Sequence, residues 1–320
     1  MLCYKVIKYK RKTGFISNAS MKPYIVNSRR DPQLLKNLLA DPYPVLLEGI
    51  HSTYYLSELV KTKKNVFVRA HNIEWQYYKS LAHSEKSFLK KLFFKIESFK
   101  LQHYENRNLR YANKVFCFTE NDGAWFKSHG IDAQVVNPVL SNLKVNTVAG
   151  MGKAILIHGN LSVNDMVNSI KLILEQFQDD SKFQFIIAGK NPSRELHNFL
   201  AHYSNVKLVE NPNSEELKSL ILDAQINLCY SEIREGFKMR LLPLLEYGRY
   251  ILCNHNFCSD QSLLPLLLLE DDLKKWPKIA VKHLNENFTS KEIQQRQELL
   301  DNISLRNGLD SMIMSIFDSL

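Results

Sequence analysis

The 320-residue chain carries 42 Lys and Arg against 33 Asp and Glu, a formal charge of +9, with 45% hydrophobic and 23% charged residues. That composition is ordinary for a globular protein and excludes a disordered or collagenous chain. The length points to two domains, each able to bury a substantial core.

The charge is uneven. Residues 1–140 hold 23 basic and 11 acidic residues, a net of +12, while residues 141–320 hold 19 and 22, a net of −3. The basic half is either a solvated surface or a partner for an anion: a lipid surface, a phosphorylated acceptor or a nucleic acid. Its lysines are not interleaved with a nucleic-acid reader motif, which sets nucleic acid aside. The five cysteines (Cys3, Cys117, Cys229, Cys253, Cys258) form no CxxC pair, and three lie inside apolar strand patterns. Buried, reduced thiols in a cytoplasmic protein are expected. The opening MLCYKVIKYKRK is unlike a signal peptide, and the longest apolar run, Leu263 to Leu269, is too short to span a bilayer.

In chain order, residues 2–9 alternate loosely as a weak strand. Asp31 then caps a helix with Pro32 in its first turn. Short apolar strands follow at Pro44–Glu48, Asn65–Ala70, Val115–Phe118 and Gln134–Val136, separated by helices. The second of them delivers His71-Asn72-Ile73-Glu74 to its carboxyl end. From about Ser84 to Tyr111 a long helix puts Phe88, Leu92, Ile96 and Phe99 on one face, edged by Lys86, Lys90, Lys91, Lys95 and Lys100. That pattern fits an ordinary core helix first and, as the second reading, an interfacial helix against an anionic membrane. Asn137-Pro138 opens an interdomain linker, giving domains of 1–145 and 146–290, with a C-terminal helical segment at 291–320 packing back on the first domain.

The second half repeats the alternation more clearly. Strands at Ala154–His158, Phe183–Ala188, Val206–Val209 and Ala224–Tyr230 each end in a polar loop, and Ser214 opens a helix as its capping residue. The last of those strands runs into Glu232 to Asn254, EIREGFKMRLLPLLEYGRYILCN, read as charged turn, short helix, glycine and strand. In a parallel sheet the turn sits at the carboxyl rim, where such sheets bind ligands. Lys238 and Arg240, placed in the first turn of that helix, suit an anion such as a phosphate; the alternative is a solvated first turn. No Asp-x-Asp pair and no His/Cys cluster with metal spacing occurs, so neither metal nor cofactor is expected.

The order of these pieces resembles the GT-B glycosyltransferases, in particular the large retaining family four. The resemblance rests on HGNLSVNDMVNSI, FIIAGKNP, NVKLVENPNSEEL and the stretch from Glu235 to Asn254. PVLLEGIHSTYYL and VRAHNIEWQYYKSLA look like a subgroup from bacterial surface-polysaccharide clusters. It implies an α/β fold of two Rossmann-like domains whose parallel sheets face across a cleft. It also implies a metal-independent, retaining transferase that moves a sugar from a nucleotide-sugar donor to a glycan or lipid-linked acceptor. By the resemblance Glu235 faces the donor sugar, and Gly236 and Phe237 hold sugar and diphosphate through their amides. Gly159 and Asn160 belong to the donor loop, and His71 matches a histidine near the reaction centre, oriented by Glu74 unless that residue only begins a helix. Pro243 stands where the family has a ribose-binding glutamate, and Glu246 is its substitute. Lys238 and Arg240 would contact diphosphate, because the Asn160–Asn164 loop carries no cation. His158 and Lys190, at strand ends, are weaker candidates, and Arg69 is expected in a structural ion pair. The glycine-poor N-terminus, with only Gly14 in its first 48 residues, is expected to lack the first βα units. A non-catalytic relative that binds nucleotide or a partner enzyme, and a sugar-nucleotide epimerase, remain as alternatives.

Overall fold

The computed structural model describes residues 5–14, 20–85, 87–136, 143–177, 182–304 and 308–317. Cys3, Lys86 and the Asn137-Pro138 start of the expected linker lie outside them. Two compact units emerge, Met1–Pro138 with Gly308–Leu320, and Val139–Asn307.

In the first unit, β1 (Val45–Glu48), β2 (Val66–Ala70), β3 (Lys114–Cys117) and β4 (Ala133–Val135) form one parallel sheet in that order. Their Val, Leu and Phe side chains are covered on both faces, as a parallel sheet requires. The register sets Glu48 against Arg69 and Ala70 against Cys117, so the last residues of β1 and β2 share one rim. Helix α1 (Pro32–Leu39) begins as its sequence dictates, with the Asp31 carboxylate accepting from the Gln33 amide. Residues 5–9 form no strand.

Connecting β1 to β2 is α2 (Leu56–Lys61), and α5 (Glu120–Ser128) connects β3 to β4. The single helix expected from about Ser84 to Tyr111 is interrupted. Helix α3 (Glu74–Ser84) ends at Glu85, whose extended backbone turns the chain, and α4 (Phe88–Asn108) runs beside it. The pair is locked by a carboxyl group. Glu105 of α4, fully buried, accepts the Glu74 and Trp75 amides at 2.9 Å and so caps α3 in place of a local side chain. Only the far part of α4 enters the core, through Leu101 and Tyr104.

The second unit holds a six-stranded parallel sheet in the order β10-β9-β8-β5-β6-β7. Its strands are β5 (Ala154–Asn160), β6 (Phe185–Lys190), β7 (Val206–Glu210), β8 (Ala224–Cys229), β9 (Tyr250–Cys253) and β10 (Leu268–Leu269). The intervening helices are α6 (Asn164–Phe177), α7 (Arg194–Leu200), α8 (Ser214–Asp223) and α9 (Leu241–Tyr247), followed by α10 (Trp276–Leu284) and α11 (Ser290–Ser304). Central β5 and β8 carry the core, with Ile155, Ile157, Ile226 and Leu228 fully covered. The cap of α8 is Asn213, one residue before the expected Ser214: Asn213 accepts from the Glu215 and Glu216 amides, and the Glu216 carboxylate accepts from the Asn213 amide.

Segment 291–320 is divided between the units. Helix α11 belongs to the second, where buried Arg296 donates to the Arg249 carbonyl at 2.6 Å and to that of Gly248. Helix α12 (Leu309–Phe317) belongs to the first, with Met312 packed on Phe67, Phe116 and Val136.

Candidate active site

Each sheet presents a polar rim at its carboxyl ends. In the second unit β5 carries the chain through His158 and Gly159 to Asn160, and β8 delivers Tyr230 and Ser231 beside it. Glycine is required where β5 and β6 meet: a Cβ on Gly189 would lie 1.9 Å from the Gly159 carbonyl oxygen. Asn160 is exposed and accepts from the Ser162 amide and hydroxyl, closing a tight polar turn before α6.

The Glu232–Arg240 loop crosses this rim. Gly236 holds φ +73°, a left-handed conformation that glycine adopts without cost. The Lys238 ammonium donates to the Glu235 carbonyl at 2.7 Å, which ties the two ends of the turn together. Phe237 anchors the loop on the core beneath α9. The helix starts later than expected: Arg240 is its N-cap and Lys238 precedes it, and only seven residues follow. The cations therefore belong to the loop and not to a helical first turn.

Arg240 points inward. Its guanidinium donates to the His158 carbonyl at 3.1 Å and the Tyr230 carbonyl at 3.0 Å, and lies 4.7 Å from the centre of the Phe257 ring. It thus staples the ends of β5 and β8. The imidazole of His158 is buried, and burial together with the Arg240 charge pushes its pKa down to about 3. Its Nε2 has no hydrogen-bond partner among the described residues. Beside it Asp165, in the first turn of α6, accepts from the Ser231 hydroxyl at 3.4 Å. Burial raises the Asp165 pKa, while Lys238 and Arg240 pull it the other way. Two cations, one half-buried carboxyl and one neutral histidine thus gather around the ends of β5 and β8.

Not every expected residue joins them. Glu246 lies in the last turn of α9, where its carboxylate accepts from the Asn146 side chain at 3.0 Å and its main-chain carbonyl from the Asn146 amide. It is more than a helical turn from the loop and is not brought to the cluster. Lys190 ends β6 as an exposed side chain.

In the first unit the rim centres on Glu48. His71 Nε2 lies 3.0 Å from one of its carboxylate oxygens and Arg69 Nη1 lies 3.3 Å from the other. The ring of Phe118 stacks on His71 at 5.4 Å and 6°, and also receives the Arg69 guanidinium at 4.9 Å. Glu74 does not orient His71. Its carboxylate accepts from Asn72 at 3.2 Å, burial raises its pKa, and it begins α3. Gly49, at φ +74°, turns the chain so that His51 packs edge-on to His71; a Cβ there would meet the His51 ring at 2.4 Å. Burial, then the charge of Arg29, pushes the His51 pKa down to about 4.

Glu48, His51, Asp165 and Ser231 were not singled out from sequence. Glu48 carried a usable signal, as an acid ending an apolar strand whose neighbour ends in Arg69 and His71. Asp165 carried a weaker one, at the start of a helix after the Gly159 turn. Among the described residues no group of three or more His, Cys, Asp or Glu side chains could hold a metal ion, and no helix is long and apolar enough to cross a membrane.

No family model matches the chain. It is 26% identical over 237 residues to an uncharacterized 44.6 kDa protein in the cps region of Klebsiella pneumoniae, covering 68% of this chain and 59% of that protein. It is 29% identical over 157 residues to the GDP-mannose:cellobiosyl-diphosphopolyprenol alpha-mannosyltransferase of Xanthomonas oryzae pv. oryzae (strain PXO99A), covering 44% of this chain and 39% of that enzyme. The matches thus span about three-fifths and two-fifths of these relatives. Among solved structures, sucrose-phosphate synthase from Thermosynechococcus elongatus aligns over 90% of this chain and 77% of its own, with TM-score 0.65 and 13% identity. HepE from Anabaena, in complex with UDP and glucose, aligns over 90% and 82%, with TM-score 0.59 and 11% identity. These structural neighbours are GT-B glycosyltransferases, and the two parallel-sheet α/β units share their fold.

Proposed function

We propose that this chain is a glycosyltransferase of polysaccharide biosynthesis, moving a sugar from a nucleotide-sugar donor to a glycan or lipid-linked acceptor. The observation that carries the reading is the Glu235–Arg240 loop across the carboxyl rim of β5 and β8, within a GT-B fold. The mannosyltransferase relative and the UDP-bound neighbour agree with it.

In this reading the second unit binds the donor. Lys238 meets the diphosphate, Arg240 adds charge while fixing the strand ends, and Gly159, Asn160, Gly236 and Phe237 shape the loop surfaces. Glu235 faces the sugar. In the first unit His71, held by Glu48, faces the reaction centre. Transfer is retaining and metal-independent: the leaving phosphate takes the acceptor proton, and fixed cations and amides stabilise the developing charge. Helix α4 makes peripheral contact with an anionic membrane. The ribose contact is unassigned, because Pro243 replaces the family acid and Glu246 is tied to Asn146.

Pro243 and the inward turn of Arg240 favour one second reading, a non-catalytic relative that binds nucleotide or a partner enzyme. Release of nucleoside diphosphate from a panel of UDP-, GDP- and dTDP-sugars, with lipid-linked and soluble glycan acceptors, separates the two. Transfer from one donor supports the enzyme. Donor binding without transfer or hydrolysis supports the second reading.

A further inference from the structure

In the first unit, between α2 and α4, lies a cavity of about 540 Å³ near the starts of β2 and β3, away from the rim that holds Glu48 and His71. Lys22, Lys61, Lys100, His103 and Arg107 line it, and no carboxylate does. Lys100 pairs at 2.9 Å with buried Glu97. Lys22 lies 3.8 Å over the Tyr54 ring, and Arg107 Nη1 lies 3.3 Å from His103 Nε2. Lys22, Lys61 and Arg107 therefore add three positive charges that no lining acid offsets.

The same helix carries a second feature. Phe88, Leu89, Leu92, Phe93, Ile96 and Phe99 are exposed, the first two and the last at 72–76%. At 100° per residue, Phe88, Leu92, Ile96 and Phe99 fall in one sector about 100° wide, and His103 and Arg107 fall in it too. The apolar stripe thus runs, over roughly 28 Å of helix, straight to the mouth of the basic cavity. Lys91 and Lys95 border the stripe on one side. An apolar band ending in a cationic recess matches an amphiphile whose tail is apolar and whose head is anionic. A second copy of this chain fits poorly, because it would bring the same positive surface.

We propose that the cavity between α2 and α4 is a headgroup site for an anionic phospholipid, filled while the α4 stripe lies in the acyl boundary of the bilayer. The proposal rests on the membrane contact of α4 given above and adds a specific phosphate-binding recess to it. The full chain is tested by flotation with vesicles of phosphatidylcholine alone or mixed with phosphatidylglycerol. Three double variants accompany it: Lys61→Gln with Arg107→Gln in the cavity, Lys90→Gln with Lys91→Gln outside it, and Phe88→Ser with Phe99→Ser in the stripe. The unsubstituted chain is expected to prefer the anionic vesicles. The cavity pair should lower that partition roughly tenfold or more, the outer pair by clearly less, and the stripe pair should weaken binding to both vesicle types. Equal losses from the two lysine-containing pairs, or none from the cavity pair, would overturn the headgroup site and leave the membrane contact standing. No flotation of the unsubstituted chain would overturn both.

Discussion

His71 Nε2 lies 3.0 Å from Glu48 Oε2, a contact that joins the carboxyl ends of β1 and β2. Both side chains are exposed by more than two-fifths, so the pair adds little to stability, about 0–1 kcal/mol. Its consequence is orientation, since the stacked Phe118 ring leaves the imidazole one plane. Glu48→Gln should therefore lower transfer turnover by about 10²-fold, as misplacing a group at the reaction centre does, with the unfolding midpoint nearly unchanged. Steady-state rates beside urea unfolding check this; a fall in stability with no fall in turnover would make Glu48 structural.

Arg240 and Lys238 should separate in stability. Arg240 bridges the His158 and Tyr230 carbonyls, and charged hydrogen bonds of this kind contribute on the order of 2 kcal/mol each. Arg240→Ala should lower unfolding free energy by about 2–3 kcal/mol and Lys238→Ala by less than about 1. Urea denaturation of the two variants decides, with equal losses arguing against the staple.

Glu105 should give stability a pH dependence. Burial pushes its carboxyl up to about 8, from an ordinary value of 4.5. Between those values the folded chain keeps a proton that the unfolded chain has released, so this group's contribution falls as pH rises across the window. Glu105→Gln cannot ionise. Its stability relative to the unsubstituted chain should improve from about pH 5 to about pH 8, read by denaturation at both. A difference that stays constant would show that Glu105 ionises normally.

Gly189 and Gly236 should differ in kind. A Cβ at Gly189 meets the Gly159 carbonyl, backbone against backbone, and Gly189→Ala should cost more than about 3 kcal/mol by forcing β5 and β6 apart. Gly236→Ala places a side chain at the left-handed φ of the loop, a cost of about 1–2 kcal/mol. Thermal unfolding of both variants orders them; the reverse order would contradict the strand contact.

The two parallel sheets were legible because short runs such as NVFVRA and AILIH are apolar on both faces and end in Gly, Asn or charged residues. Helix α1 was legible for a local reason, the Asp31-Pro32 start. What sequence concealed depends on register and packing. Glu48 reaches His71 only because β1 and β2 pair with Glu48 opposite Arg69. Arg240 looks like a phosphate ligand until the neighbouring strand ends supply carbonyls for it. The stripe on α4 has the spacing of a core face, and only the packing of α3 beside it leaves Phe88 and Phe99 in solvent. The break at Glu85 carries no glycine or proline, so nothing local announced it.

The central claim is that the Glu235–Arg240 loop of the second unit holds the diphosphate of a nucleotide-sugar. Calorimetric titration of the chain and of Lys238→Ala with UDP, GDP and the matching nucleosides tests it most directly. The account predicts that one nucleoside diphosphate binds and that Lys238→Ala weakens it about tenfold while barely changing the nucleoside, as loss of a charge-assisted contact would. No binding by any nucleotide, or equal losses for diphosphate and nucleoside, would contradict it.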